Sequence, residues 1–353
     1  MNKRETTKKL YVGGVPVGGG APVSVQSMCN TKTWDVEASR SQIRAFADAG
    51  CDIVRLAVPD MKSAQAMREI CAKSPAPLVA DIHFDYRLAL KCAENGVSAI
   101  RINPGNIGGE ENVKAVARAC KERKIPIRVG VNAGSLEKEL LEKYGHPTPQ
   151  AMIESARKHI ELLNKYDFDD ICISLKASSV PLTVAAYRLA GETFSYPLHL
   201  GVTETGTAFN GVIQSAVGIG TLLNEGLGDT IRVSLTADPV MEVRAGIAIL
   251  KSAGLRRGGV RFISCPTCGR TEIDLIGLAN SVEERLGGLK RDITVAVMGC
   301  VVNGPGEARE ADYGIAGGKD CGLIFKKGEV VGTYPYERLC DELMALIERE
   351  GGQ

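Results

Sequence analysis

Eight short runs rich in β-branched residues recur through the first two thirds of the chain. They are Val23–Met28, Asp52–Val58, Leu78–Phe84, Ala99–Asn103, Ile125–Asn132, Asp170–Lys176, Leu198–Thr203 and Thr230–Thr236. Their mean spacing is roughly 30 residues, the length of one strand–helix unit. Helical patterns fill the gaps. Ile43, Phe46, Ala47 and Gly50 fall at i, i+3, i+4 and i+7 behind an Asp35 cap, Asp85 can cap a later helix, and Gly50, Gly96 and Gly254 sit where helices end. Strand and helix alternate and the strand count is eight, which predicts a (β/α)8 TIM-type barrel of the α/β class. An open doubly wound sheet is the alternative, but its GxGxxG fingerprint is absent.

After Gly254 the rhythm changes. The RRGGVR stretch at 256–261 reads as a linker, which divides the 353-residue chain into a barrel over 1–255 and a smaller α+β domain over 256–353. The second domain is predicted to hold a helix at 271–287, a strand at 292–298, a hairpin near 323–333 and a final helix at 336–349.

Several barrel strands carry polar residues where the interior is normally apolar. Arg55 follows Ile53; Asp81 pairs with His83, Arg101 with Asn103, Arg128 with Asn132, Ser174 with Lys176, and Arg232 with Ser234. A period of two puts each pair on one face, and the C-terminal ends of barrel strands converge on one mouth. Strand seven ends in His199, Thr203 and Glu204. Four arginines and Lys176 around one pocket are costly to bury unless an anion or carboxylates offset them. The obvious acids at these positions are Asp81 and Glu204, too few for five cations. A substrate with two or more phosphate charges is therefore expected, since a guanidinium binds two phosphate oxygens at once. Gly105, Gly108 and Gly109 offer backbone N–H groups to a phosphate or simply form a turn. The formal net charge is +1, which gives no global field for nucleic acid or anionic lipid. No apolar run is long enough to span a membrane, and the basic start followed by glycines does not read as a signal peptide. A cytoplasmic location is expected.

Eleven cysteines, an odd number in such a chain, argue against a disulfide framework. Cys51, Cys71, Cys92, Cys120, Cys172 and Cys340 stand in apolar surroundings and read as core residues. Three others differ. Ser264-Cys265-Pro266-Thr267-Cys268-Gly269-Arg270 contains C-x2-C, and Cys300 lies in Met298-Gly299-Cys300-Val301-Val302-Asn303-Gly304-Pro305-Gly306-Glu307-Ala308. C-x2-C suits zinc or an iron–sulfur cluster. Structural zinc generally wants four Cys or His ligands, and no fourth stands near Cys300. Three thiolates with a labile carboxylate such as Glu307 suit a cluster with one distinctive iron. Zinc remains open on spacing alone.

CPTCGR together with MGCVVNGPGEA closely resembles the 4-hydroxy-3-methylbut-2-enyl diphosphate synthase family of the methylerythritol phosphate route. SVQSM, VRLAVP, ADIHF, IRINPGN, RVGVNAGSL, SLKAS, LGVTETG and IRVSLT extend the resemblance, in order, over nearly the whole chain. The resemblance implies a barrel followed by a [4Fe-4S] cluster domain, with Cys265, Cys268, Cys300 and Glu307 as ligands. It implies 2-C-methyl-D-erythritol 2,4-cyclodiphosphate as substrate and two electrons from reduced flavodoxin or ferredoxin. It also implies a head-to-tail homodimer, here of the two-domain bacterial form, because little chain separates strand eight from Cys265. In that frame Arg55, Arg101, Arg128 and Lys176 hold the diphosphate, with Arg232 a weaker member. Asn103, Asn132, Ser234 and Ser264 add neutral hydrogen bonds. Glu204, kept protonated by burial, gives the proton for the departing hydroxyl; His83 is the alternative, oriented by Asp81. Two other classes stay open: a barrel aldolase with Lys176 as Schiff-base lysine, and a non-catalytic redox sensor.

Overall fold

The computed structural model describes residues 3–289, 291–300, 309–319 and 321–351. The chain divides into two compact units, Met1–Arg256 and Arg257–Gln353.

The first unit opens with a hairpin of β1 (Leu10–Val12) and β2 (Val15–Val17). The barrel strands follow as β3 (Ser24–Met28), β4 (Ile53–Ala57), β5 (Leu78–Asp81), β6 (Ala99–Ile102), β7 (Ile127–Asn132), β8 (Ile171–Lys176), β9 (His199–Leu200) and β10 (Thr230–Ile231). They form one parallel sheet in the order β8-β7-β6-β5-β4-β3-β10-β9. The ring closes between β8 and β9 through a single bridge, Ile173 to Leu198, with the Ile173 N–H donating to the Pro197 carbonyl at 2.9 Å. This is the expected eight-stranded α/β barrel.

The helices are α1 (Val36–Asp48), α2 (Met61–Ala72), α3 (Tyr86–Glu94), α4 (Glu110–Arg123), α5 (Lys138–Tyr144), α6 (Pro149–Asn164), α7 (Val180–Thr193), α8 (Ala208–Asn224) and α9 (Pro239–Ser252). Short polar residues fix many of their starts. Asp35 accepts from the Ala38 N–H, Asp60 from Ser63 and Asp85 from Arg87, each satisfying an orphan donor of the first turn. Gly50, Gly96 and Gly254 follow helix ends with φ of 91°, 89° and 70°, a region that suits glycine. The core lies between helices and strands, with Ile43, Phe46, Met67, Ile70, Val113 and Leu163 packed on Val54, Leu56, Ile100 and Ile173.

Three features depart from the sequence reading. The β1–β2 hairpin has no counterpart in the sequence reading; it packs Val12, Val15 and Val17 on Ile53, Val79 and Ala99, so it covers the N-terminal end of the barrel. Strands seven and eight are two residues each rather than six and seven. Beyond Leu200 comes Gly201, where a Cβ would stand 2.8 Å from the Arg232 carbonyl oxygen and 3.3 Å from Lys176 Nζ. The chain there becomes loop, so Thr203, Glu204, Arg232 and Ser234 are not placed by strand alternation. The linker is also shorter than 256–261. Arg256 binds Asp52 at 2.8 Å within the first unit, and Val260 and Arg261 already belong to a strand.

The second unit holds β11 (Val260–Ser264), β12 (Ile293–Met298), β13 (Tyr313–Ala316), β14 (Cys321–Lys326) and β15 (Glu329–Pro335) in that spatial order. The first three are mutually parallel; β14 and β15 run antiparallel. Helices α10 (Leu275–Leu286) and α11 (Leu339–Gly351) supply Leu278, Val282, Leu339, Leu343 and Ile347, which pack with Val295, Val297, Ile315 and Ile324. The α+β class stands as expected, with β11 and β13 added. Five cysteines of the chain are buried: Cys29, Cys51, Cys92, Cys120 and Cys172. Cys71 and Cys340, expected in the core, are only partly covered. Burial pushes the thiols of Cys51, Cys92, Cys120 and Cys172 up to about 12, so these groups are inert as nucleophiles.

Candidate active site

Asp81, the last residue of β5, is the hub of the barrel interior. It is 3% exposed. Its Oδ2 accepts from Arg55 Nη2 at 2.6 Å and stands 3.2 Å from His83 Nε2, while Oδ1 accepts from Arg101 Nη1 at 3.3 Å. Register explains the meeting: Asp81 pairs with Arg101 on β6, which pairs with Arg128 on β7. Burial alone would raise the Asp81 pKa, but Arg55, His83 and Arg101 outweigh it and hold the carboxyl well below the usual carboxylate range. Arg101 also donates to the Gly130 carbonyl at 3.3 Å. Gly130 is needed for this, since a Cβ there would lie 2.4 Å from Arg101 Nε.

The other cations have less company. Arg128 is 5% exposed, and neither Nη1 nor Nη2 finds a hydrogen-bond partner among the described residues. Burial and then the charges of Arg55 and Arg101 bring its pKa down to about 9. It is the second residue of β7, deeper in the barrel than a strand-end position, whereas Lys176 closes β8. Lys176 is buried, and burial together with Arg232, Arg55, Arg128 and Arg101 pushes its amine well below the ordinary lysine value. Arg232 stands 3.6 Å from Glu242 of α9. Glu242 is 4% exposed and accepts from Ser27 Oγ and from the Leu235 N–H, both at 3.0 Å. Buried Arg55, Arg101, Arg128 and Lys176 and half-buried Arg232 thus stand, among the described residues, with two paired carboxylates, Asp81 and Glu242.

The sequence reading counted Glu204 as the second acid, but that role falls to Glu242. Glu204 is exposed, with a left-handed φ of 57°. The burial expected to keep it protonated is not supplied by the described residues of this chain. His199 was seen only as a strand-end residue. It is fully buried, with Nδ1 3.3 Å from Thr230 Oγ1, and burial plus Arg128, Lys176, Arg55 and Arg232 push it well below the ordinary histidine value. His83 is exposed, with Nε2 3.2 Å from Asp81 Oδ2 and 3.4 Å from Arg101 Nη1. Asn103, Asn132 and Ser234 are half-buried beside these strand ends. Asn103 Oδ1 accepts from the Gly105 N–H at 3.1 Å, and the Ser234 carbonyl accepts from Thr205 Oγ1.

In the second unit, Cys265 directly follows β11, and Cys300 comes two residues after β12. These strands are adjacent and parallel, with Ser264 opposite Val297, so both cysteine segments leave the same end of the sheet. The Gly299 N–H donates to Cys265 Sγ at 3.1 Å. Cys268 is exposed, and its N–H donates to Thr271 Oγ1 at 3.1 Å. Backbone and side-chain hydrogen bonds from Arg270 lower the Cys268 thiol pKa. A backbone amide already aimed at one sulfur and a thiol biased toward thiolate suit a metal-binding donor set. Among the described residues, no three His, Cys, Asp or Glu side chains converge as a metal-holding group. Glu307 lies outside the described residues. Ser264, in β11, is exposed.

Comparison with known proteins bears on both units. A model of the GcpE TIM-barrel domain matches residues 7–247, and one of the GcpE protein C-terminal domain matches 261–349. The chain belongs to the GcpE family.

GcpE relatives are close across the full length. A protein of Clostridium perfringens named 4-hydroxy-3-methylbut-2-en-1-yl diphosphate synthase (flavodoxin) is 62% identical over 99% of each chain. The protein of the same name from Geobacter sulfurreducens is 60% identical over 97% of each. Among solved structures, the Yersinia pestis dihydropteroate synthase superposes on 70% of this chain and 97% of its own with a TM-score of 0.51 at 12% identity. That likeness shows the shared barrel alone. Within the GcpE barrel, Glu242 is a buried polar residue absent from the sequence reading, which names His199 only as a strand-end residue. Glu242 sits in a helix, where nothing in the local pattern says that it turns inward.

Proposed function

We propose that this chain forms 4-hydroxy-3-methylbut-2-en-1-yl diphosphate, the compound for which its relatives are named, by reductive opening of 2-C-methyl-D-erythritol 2,4-cyclodiphosphate in isoprenoid biosynthesis. One observation carries the reading. Arg55, Arg101, Arg128, Arg232 and Lys176 are gathered in one barrel with only Asp81 and Glu242 as described carboxylates against them. A diphosphate offsets that excess, and the unpartnered guanidinium nitrogens of Arg128 are donors in want of acceptors. Substrate binding then favours protonation of Lys176, because an added dianion opposes the repulsion that neutralises it.

Cys265, Cys268 and Cys300, with Glu307, would hold a [4Fe-4S] cluster. When bound, that group supplies electrons singly, from reduced flavodoxin or ferredoxin. The rest falls to the protein. Two electrons and two protons are consumed, one ring C–O bond breaks, and one hydroxyl leaves as water. The barrel cations hold the phosphates, and Asn103, Asn132, Ser234 and Ser264 supply neutral hydrogen bonds. Glu204 gives the proton to the departing hydroxyl, or His83 does so while Asp81 fixes its ring. The active form in this reading is a head-to-tail homodimer in the cytoplasm. Its support is that cysteines and cations lie in different compact units of one chain. No described helix is long and apolar enough to cross a membrane.

Two variants test the reading. Arg128→Ala should weaken binding of the cyclic diphosphate at least tenfold, as expected for a charge-assisted contact; unchanged affinity removes the phosphate role. Cys300→Ser should fail to retain iron and sulfide after anaerobic reconstitution, and normal iron content would remove Cys300 from the ligand set.

A further inference from the structure

The loops after β6 and β7 carry Asn103 and the residues that follow Asn132, and both lean on one buried histidine. His159 of α6 is 5% exposed. Its Nε2 stands 3.1 Å from Oε1 of Glu137, in the loop after β7. The same oxygen accepts from Ser155 Oγ at 3.0 Å. Burial opposes ionisation of Glu137, but His159, its own backbone and Ser155 bring the carboxyl down to about 2. Glu137 therefore faces the imidazole as a carboxylate at ion-pair distance.

The ring also touches the loop after β6. A Cβ placed on Gly105 would lie 2.7 Å from His159 Cε1 and 3.4 Å from Nδ1. Gly105 is the centre of a single 3-10 turn, Pro104–Asn106, and its N–H donates to Asn103 Oδ1 at 3.1 Å. This contact decides which end of the Asn103 amide is spent. With Oδ1 engaged by the backbone, the NH2 end is left to a ligand, and phosphate oxygens accept only from donors.

We propose that His159, clamped by Glu137, is a positioning residue: it seats the Pro104–Asn106 turn through Gly105 and so presents the Asn103 amide to an anionic substrate by its N–H end. The inference rests on the diphosphate reading above. Loops at the mouth of a barrel are otherwise free to shift, and a shift of about 1 Å in a substrate-holding group is enough to cost much of its effect. Two loops braced on one ring between helix and strand move together or not at all.

The test uses the reconstituted holoenzyme, the cyclic diphosphate, steady-state kinetics and thermal unfolding. His159→Ala should raise the apparent KM about tenfold, the size of one lost charge-assisted hydrogen bond, with kcat within about twofold. Gly105→Ala should do the same, because its methyl displaces the ring or the turn. The double variant should be no worse than His159→Ala, since removing the ring removes the clash. His159→Gln, which still reaches Glu137, should recover part of the affinity. If both single variants lower Tm with KM unchanged, the pair is purely structural and the proposal fails. If the two KM effects multiply in the double variant, the residues act separately and the proposal also fails. Should His159→Ala not fold, Gly105→Ala, which deletes no contact, decides alone. Wild-type enzyme that does not bind the cyclic diphosphate overturns the substrate reading; wild-type binding with unaltered variants overturns only the positioning role.

Discussion

Replacement of Asp81 by Asn isolates the electrostatics of the barrel interior. The substitution keeps the side chain's shape and removes one charge. Three contacts change at once: Arg55 at 2.6 Å, His83 at 3.2 Å and Arg101 at 3.3 Å. Arg55 and Arg101 are 8% and 5% exposed, so water cannot replace the lost carboxylate. Removing one member of such a buried ion pair costs roughly 3–5 kcal/mol. For a unit of this size each kcal/mol moves Tm by about 2–4 °C, so a fall of roughly 6–20 °C is expected in the barrel transition. Inorganic pyrophosphate should restore part of the loss, by about 2.7 kcal/mol at a hundredfold excess over its dissociation constant. Because the Asp81 pKa is depressed in the fold, its contribution is complete above about pH 4 and disappears only as pH falls below that. A variant melting within about 2 °C of wild type at pH 7 would refute the view that Asp81 holds together a cluster starved of negative charge.

Asp229→Asn probes the opposite sign: burial raises this carboxyl to about 6, so its ionisation weakens the fold as pH rises from 4 through 6. The variant should gain about 3 kcal/mol over wild type in urea unfolding above pH 7 and nothing at pH 4. Glu242→Gln should lower stability by roughly 2–4 kcal/mol through loss of charge beside Arg232, read from the urea midpoint. Gly201→Ala places a methyl against the rigid Arg232 carbonyl at 2.8 Å and should destabilise by about 1–3 kcal/mol, measured in the same way.

Much of the barrel is legible in the sequence because local and global signals agree. Asp35, Asp60 and Asp85 cap helices just where strands end, and Gly50 and Gly96 stop helices at positive φ. The ends of strands seven and eight are not legible. There the composition is strand-like, but Gly201 and the packed Arg232 and Lys176 decide the path through tertiary contacts. The N-terminal hairpin has a hairpin-type Gly13-Gly14 turn, but its three-residue strands carry too little period to be read as strands. In the site, Asp81 and the arginines stand out as charges inside apolar strands. Glu242 does not, because a carboxylate in an amphipathic helix is ordinary until packing turns it inward. Cys265 and Cys268 stand out by spacing, and the structure adds that β11 and β12 are adjacent and parallel, so the C-x2-C and Cys300 segments leave the same end of the sheet.

The central claim is that the barrel cations receive a cyclic diphosphate and that the cysteine segments bring the electrons to open it. Anaerobic reconstitution with iron and sulfide, followed by incubation with 2-C-methyl-D-erythritol 2,4-cyclodiphosphate and a chemical reductant, tests it directly. The account predicts conversion to the linear diphosphate only when iron is present, and none for Cys265→Ser, Cys268→Ser or Cys300→Ser. Iron-loaded wild-type protein that leaves the cyclic diphosphate intact, or conversion that persists with zinc in place of iron, would contradict it.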